Sequence, residues 1–317
     1  MNETNIVGVD THKSTLACYV NGKFKEFKTT LAGFKQATKW VGNKKIKWAI
    51  EGAYCFGQPF SAYLIQNGYE VYEVNPLLTK TWRGILSTVQ PKNDYGDAKV
   101  ISLFANSNNL QTVSLEMIKL KEITTTRRFL IKERTRLINN LKMSFFSRGD
   151  KLPFNDFTTK KAIKWFEEQN DFILKTQGNI LKQTNEAIKK CEKELEENIP
   201  NQAKKLLSLK GISTIRAIEI IIELKGKVPT EKQLASYCGV APVEQSSGKT
   251  KRFKTNKKGN RRLNSIFYSL SIAQKRYNPI AKEYYEKKLK EGKTPRHARK
   301  CLARQLVKVI CKLLKED

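Results

Sequence analysis

Two short runs constrain this chain most. Asn5-Ile6-Val7-Gly8-Val9-Asp10 and Ile46-Lys47-Trp48-Ala49-Ile50-Glu51 are both apolar, and both end on a carboxylate. A run of this length bounded by polar residues is strand-like, and a strand that closes on an acid delivers it to the rim of a sheet. The sequence around them predicts a mixed α/β unit. Thr15 to Val20 is a second strand, and Asn21-Gly22 is a hairpin turn into a third, Phe24 to Thr29. Leu31 to Val41 has helical spacing through Phe34, Ala37 and Val41, and Gln58 to Gln66 reads as another helix. Tyr69 to Val74 is a strand closing at Asn75-Pro76. The polar stretch Gln90-Pro91-Lys92-Asn93 then precedes a helix holding Asp94, Asp97, Val100, Ile101 and Phe104.

From about Leu115 to Asn198 the pattern is helical. Ile123, Leu130 and Leu137 lie seven apart, as do Leu174, Leu181, Ile188 and Leu195. This predicts two long helices packed as an antiparallel hairpin or within a compact bundle, separated by Arg148-Gly149-Asp150-Lys151-Leu152-Pro153. Arg127 and Arg134 interrupt the first seam. After Ile199-Pro200, Leu206 to Ser213 leads into the apolar helix Ala217 to Leu224, similar to a helix-hairpin-helix with Ser213 where a second Gly is usual. Gln233 to Cys238 is a short helix stopped by Gly239, and the remainder through Leu314 reads as helical and basic.

The charge narrows the partners. Lys and Arg number 60 against 30 Asp and Glu in 317 residues, a formal net charge of +30. A field this positive implies a polyanionic partner, and without a basic amphipathic anchor that partner is nucleic acid rather than a membrane. Six scattered cysteines without a C-x-x-C pair, and only two histidines, His12 and His297, exclude a Cys/His zinc site and leave little for histidine-based nucleophilic catalysis. No apolar run approaches the roughly 18 residues of a membrane span, and Met1-Asn2-Glu3-Thr4 lacks a secretion-signal pattern. A cytoplasmic, nucleoid-associated protein is expected.

Chemistry then rests on carboxylates and hydroxyls. Asp94 and Asp97 are three apart and share a helix face. In an RNase H-like sheet the strands ending in Asp10 and Glu51 lie side by side, with that helix packed across their ends. Any one of these acids alone reads as a cap or a helix-dipole partner. All four at these element ends favour a shared site, which repulsion makes stable only with a divalent cation, Mg²⁺ or Mn²⁺. The second candidate is Gln245-Ser246-Ser247-Gly248, which opens an acid-free run with Lys249, Lys251, Arg252, Lys254, Lys257, Lys258, Arg261 and Arg262. Such a run suits phosphate tracking, or is a solvated charged loop. A serine among cations suits attack on a phosphodiester, and an isolated Ser-Gly pair also serves as a flexible loop.

These segments resemble, in order and spacing, the DEDD-type transposases of insertion-sequence family 110, which include Piv-like DNA invertases. The resemblance covers nearly the whole chain. It is carried by Val7-Gly8-Val9-Asp10-Thr11-His12-Lys13, Ala49-Ile50-Glu51-Gly52-Ala53-Tyr54, Val74-Asn75-Pro76 and Lys92-Asn93-Asp94-Tyr95-Gly96-Asp97-Ala98, and then by Gly239-Val240-Ala241-Pro242, Ser246-Ser247-Gly248 and Lys258-Gly259-Asn260-Arg261-Arg262-Leu263. It implies an α/β RNase H-like (RuvC-like) domain over 1–112, a long helical coiled-coil linker over 113–199, and a mainly α C-terminal transposase domain over 200–317. It further implies a metal-binding tetrad of Asp10, Glu51, Asp94 and Asp97, with Ser247 as nucleophile and Ser246 as runner-up. The activity implied is DNA recombination through a serine–DNA phosphodiester, guided by a structured bridge-type RNA, in a homo-oligomer between dimer and tetramer. The alternatives are a RuvC-like metal-dependent endonuclease and a catalytically inactive nucleic-acid-binding relic. The departures from the family pattern are Asn93 in place of Thr and Ser213 in place of Gly.

Overall fold

The computed structural model describes residues 6–86, 93–108, 110–225, 229–247, 250–256 and 259–315. They form two compact units, Met1–Lys121 and Glu122–Asp317. No described helix is long and apolar enough to cross a membrane.

The first unit is built on a six-stranded sheet: β1 (Ile6–Thr11), β2 (Thr15–Val20), β3 (Lys23–Lys28), β4 (Lys47–Glu51), β5 (Val71–Val74) and β6 (Gln111–Thr112). Their order across the sheet is β3-β2-β1-β4-β5-β6. The first three strands meander antiparallel, β4 and β5 add in parallel, and β6 closes the edge antiparallel. Around it lie α1 (Leu31–Val41), α2 (Gln58–Gln66), α3 (Pro76–Leu86) and α4 (Asp94–Ser107). Strand alternation sorts β4 between two cores. Trp48 and Ile50 join Phe34, Phe60 and Leu64 from α1 and α2, whereas Ala49 joins Val74, Ile101 and Phe104 on the α4 side. The strands and helices read from sequence are all present, with ends shifted by one or two residues. The sequence reading missed β6 and α3. Asn75-Pro76 is not a stop but a start: Pro76 opens α3, and Asn75 O accepts the amides of Leu78 and Thr79.

Gly8 sets how closely α4 approaches β1. A Cβ there would fall on the carbonyl oxygen of Ala98 and the amide nitrogen of Ser102, and within 2.9 Å of Ser102 Cα. Ser102 Oγ donates to the Ile6 carbonyl at 2.8 Å, sealing the contact. These obstacles are backbone and cannot give way, so Gly8→Ala is expected to destabilise the unit by about 3 kcal/mol, the upper end for overpacking. Urea unfolding of the variant against the parent checks this; an unchanged midpoint would contradict the packing described.

In the second unit α5 (Leu115–Ser147, which starts in the first unit) and α7 (Phe172–Glu197) run antiparallel. Arg127 Nη2 and Nε donate to Glu192 at 2.7 and 2.9 Å, and Arg134 Nη1 donates to Asn185 at 3.1 Å. The two arginines that break the seam therefore cross-link it. Leu174, Leu181, Ile188 and Leu195 are all buried. A helix not expected from the sequence, α6 (Lys160–Glu167), packs Phe166 against α7 where Gly178 lacks a side chain to obstruct it. Beyond lie α8 (Asn201–Leu206), α9 (Thr214–Leu224), α10 (Glu231–Tyr237), β7 (Pro242–Ser247), β8 (Thr250–Thr255), α11 (Arg261–Tyr277), α12 (Pro279–Lys290) and α13 (Pro295–Lys315). The segment after Gly239 is thus not purely helical, since a β-hairpin precedes α11. Ser213, the departure from Gly, is the N-cap of α9 and accepts the Arg216 amide.

Candidate active site

Asp10 stands one residue from the end of β1, beside β4, whose last residue is Glu51; the parallel register pairs Val9 with Ile50. Thr11 Oγ1 donates to the Glu51 carbonyl at 3.0 Å, tying the two strand ends together. Asp94 and Asp97 occupy the first turn of α4, where the helix dipole favours negative charge. Asn93 caps that helix, its side chain accepting the Gly96 amide at 2.7 Å. An Asn where Thr is common therefore keeps the capping oxygen that orients both acids.

His12 joins the acids of the two elements. Its Nε2 lies 3.3 Å from Asp10 Oδ2 and 3.4 Å from Asp94 Oδ1. One ligand atom from each of these three residues falls within 4.8 Å of the others. Glu51 is close enough to Asp10 to feel its charge. Burial pushes the Glu51 carboxyl up, a hydrogen bond from Thr79 at 2.5 Å opposes this, and the Asp10 charge raises it again. Burial also raises Asp10, against the pull of His12, and the Asp94 charge adds to the rise. Asp97 is ion-paired to Arg83 of α3, and Arg83 in turn favours the charged forms of Asp10 and Glu51. Asp10, Asp94 and His12 are thus in mutual contact, Glu51 lies within reach of the Asp10 charge, and Asp97 is engaged by arginine.

Oxygen-rich donors with raised affinity for protons fit a hard divalent cation, and the single imidazole admits Mn²⁺ as well as Mg²⁺. Sequence reasoning missed His12, Thr79 and Arg83. His12 was legible in principle, since it follows Asp10 by two residues at the strand end. Arg83 and Thr79 sit in the helix that went unread.

The serine candidates lie at the end of β7. Ser246 pairs with Lys251 and Ser247 with Thr250. Gly248, Lys249, Lys257 and Lys258 lie outside the described residues, and for Lys251, Arg252 and Lys254 only their place in β8 is described. The base of this hairpin is tightly tied. A Cβ on Gly259 would come within 2.8 Å of both the amide nitrogen and the Cα of Gly239, and the Asn260 amide donates to the Tyr237 carbonyl at 2.6 Å. Asn256 and Asn264 donate to the carbonyls of Ser236 and Cys238. Asn260 caps α11 and donates to Glu223 at 2.7 Å, and Arg262 donates to Glu223 at 2.6 Å. Burial alone would raise Glu223, but the hydrogen bonds from Arg262 and Asn260 hold it below the ordinary carboxylate value. Arg261 and Arg262 are both exposed, and Arg262 is ion-paired to Glu223.

The strand order and the carboxylates at the ends of β1 and β4 define an RNase H-like domain. Two models of one transposase family match the chain: a DEDD transposase model over residues 7–144, and the model described as transposase IS116/IS110/IS902 family over residues 203–286. The chain belongs to the insertion-sequence 110 family of DEDD transposases. The pilin gene-inverting protein of Moraxella lacunata is 23% identical over 98% of this chain and 96% of its own. An uncharacterized 43.6 kDa protein of insertion element IS110 from Streptomyces coelicolor is 30% identical over 33% of this chain, a match that spans 26% of that relative's length. A solved RuvC of Thermus thermophilus aligns with 34% of this chain and 99% of its own at 19% identity, with a TM-score of 0.25.

Proposed function

We propose that this protein cuts and rejoins DNA, with Asp10, Glu51, Asp94 and Asp97 holding Mg²⁺ or Mn²⁺ and Ser247 forming the link to the DNA strand. The observation that carries the reading is the convergence of Asp10 and Asp94 from β1 and α4, made possible by the bare backbone of Gly8. A bound divalent cation supplies Lewis-acid activation of the attacked phosphate and charge relief for the leaving oxygen. The chain's own part is to hold these carboxylates ionised together, with Thr79 fixing Glu51 and Arg83 fixing Asp97. Of the two serines, Ser247, next to the glycine, is our choice. Sequence choice is assigned to a bridge-type guide RNA, leaving the protein to track backbones, in an assembly between dimer and tetramer. We assign residues 1–112, 113–199 and 200–317 to the catalytic domain, the linker and the strand-joining domain. A relative named for inverting a pilin gene supports DNA rearrangement as the outcome.

The test is trapping. Labelled donor duplex, protein and transcribed flanking RNA are incubated with Mg²⁺ or with chelator and then denatured. A DNA strand covalently attached to protein, formed only with the divalent cation, is the expected result. Cut ends without attachment would instead indicate attack by water, and intact DNA would indicate a binding protein without chemistry.

A further inference from the structure

Besides the basic run around the hairpin, the second unit carries a further organised row of positive charge. Helix α13 contains no Asp or Glu, and it lies beyond the segment matched by the second family model. His297, Lys300, Arg304, Lys308, Lys312 and Lys315 follow one another at steps of three and four, which keeps them on one face of a helix. Arg304, Lys308, Lys312 and Lys315 are exposed. Among the described residues Arg304 and Lys308 have no acidic partner. The opposite face, with Ala298, Leu302, Leu306 and Ile310, is buried against α8, α10, α11 and α12, so the ridge is fixed to the unit. Crowding is evident within it: burial, then the neighbouring Arg296 charge, pull the Lys300 ammonium below its ordinary value. Toward the C-terminal end, Lys308, Lys312 and Lys315 border an open hollow of about 460 Å³ that they share with Glu231 of α10.

We infer that this ridge of α13 is a second docking surface, separate from the hairpin, for the phosphate backbone of duplex DNA. The inference rests on the reading of the protein as a DNA recombinase. From His297 to Lys315 the ridge runs about 27 Å at 1.5 Å per residue, the length of roughly eight base pairs of duplex. It presents no exposed aromatic on which unpaired bases could stack. A membrane surface does not fit, because the helix has already buried its apolar face inside the unit.

The experiment compares R304Q/K308Q/K315Q with a charge-matched control in the first unit, K35Q/K39Q/K44Q. Both are made in the Asp10→Asn background and titrated without divalent cation against duplex DNA of arbitrary sequence over a range of KCl concentrations. Loss of three phosphate contacts should flatten the salt slope by about 2.7, at roughly 0.9 per contact. The ridge variant should also lose at least about tenfold in affinity, while the control changes neither. The charge-keeping R304K/K308R/K315R should restore both values. Equal effects of the two neutralised triples, no effect of either, failure of the charge-keeping variant to restore binding, or a loss confined to duplex RNA of equal length would each overturn the inference. Cutting plays no part in the readout, so the ridge and the recombinase chemistry can fail separately.

Discussion

Asp10→Asn is expected to abolish DNA cutting, by on the order of 10³-fold or more, while leaving the protein folded and more heat-resistant than the parent in the absence of divalent cation. The loss follows from removing the buried carboxylate that meets both His12 and Asp94, at a position where a preorganised charge is worth several kcal/mol. The stability gain follows from the direction of its proton affinity. Burial raises Asp10 above its ordinary 3.8, and burial likewise raises Glu51 above 4.5. The folded protein thus holds these protons more tightly than the unfolded chain. The stability these groups contribute is fully present below about pH 4 and is lost as pH rises through their raised folded values. The melting difference between Asp10→Asn and parent should therefore be small at pH 4 and open to a few degrees at pH 7. Mg²⁺ should raise the parent's melting temperature at pH 7 and shift the variant far less. A variant that melts below the parent at pH 7 without metal would show that Asp10 is a satisfied structural acid.

Ser247→Ala is expected to remove the protein–DNA link altogether. Deleting an enzyme nucleophile lowers turnover by up to roughly 10⁶-fold, and alanine leaves no oxygen to take its place. Ser246→Ala should retain the link, because the bond to DNA is assigned to Ser247 alone. Gel analysis of denatured reactions, with duplex binding measured in parallel, separates this outcome from simple loss of affinity. Persistence of the link in Ser247→Ala with its disappearance in Ser246→Ala would reassign the nucleophile. Persistence in both would remove serine chemistry from the hairpin.

Much of the first unit was legible because its signals are local. Apolar runs ending at Asp10 and Glu51, the Asn21-Gly22 turn, and acids at a helix start each state their structure within a few residues. What escaped reading depended on context. Asn75-Pro76 looked like a terminator, yet proline is equally at home as the first residue of a helix, and α3 with Thr79 and Arg83 was lost with it. The scarcity of histidine argues against a zinc site and against histidine-based nucleophilic catalysis, yet the position of His12 two residues past Asp10 brings it back against the acid. Arg127 and Arg134 looked like defects in an apolar seam. Their partners Glu192 and Asn185 lie some 50 to 65 residues away, and no periodicity in one helix can reveal the acceptor on another. The β7–β8 hairpin was hidden by its composition, since PVEQSS and TKRFKT hold few apolar residues and leave no apolar stripe to mark a strand.

The clasp of Gly239 against Gly259 has a consequence for how this protein can change. Because both strands of the hairpin are anchored at their roots by backbone contacts and by Asn256, Asn260 and Asn264, residues between them can be exchanged or lengthened without disturbing the helices beneath. Segments 243–254 from related proteins should therefore graft onto this scaffold as interchangeable cassettes, carrying their own reach and charge with them.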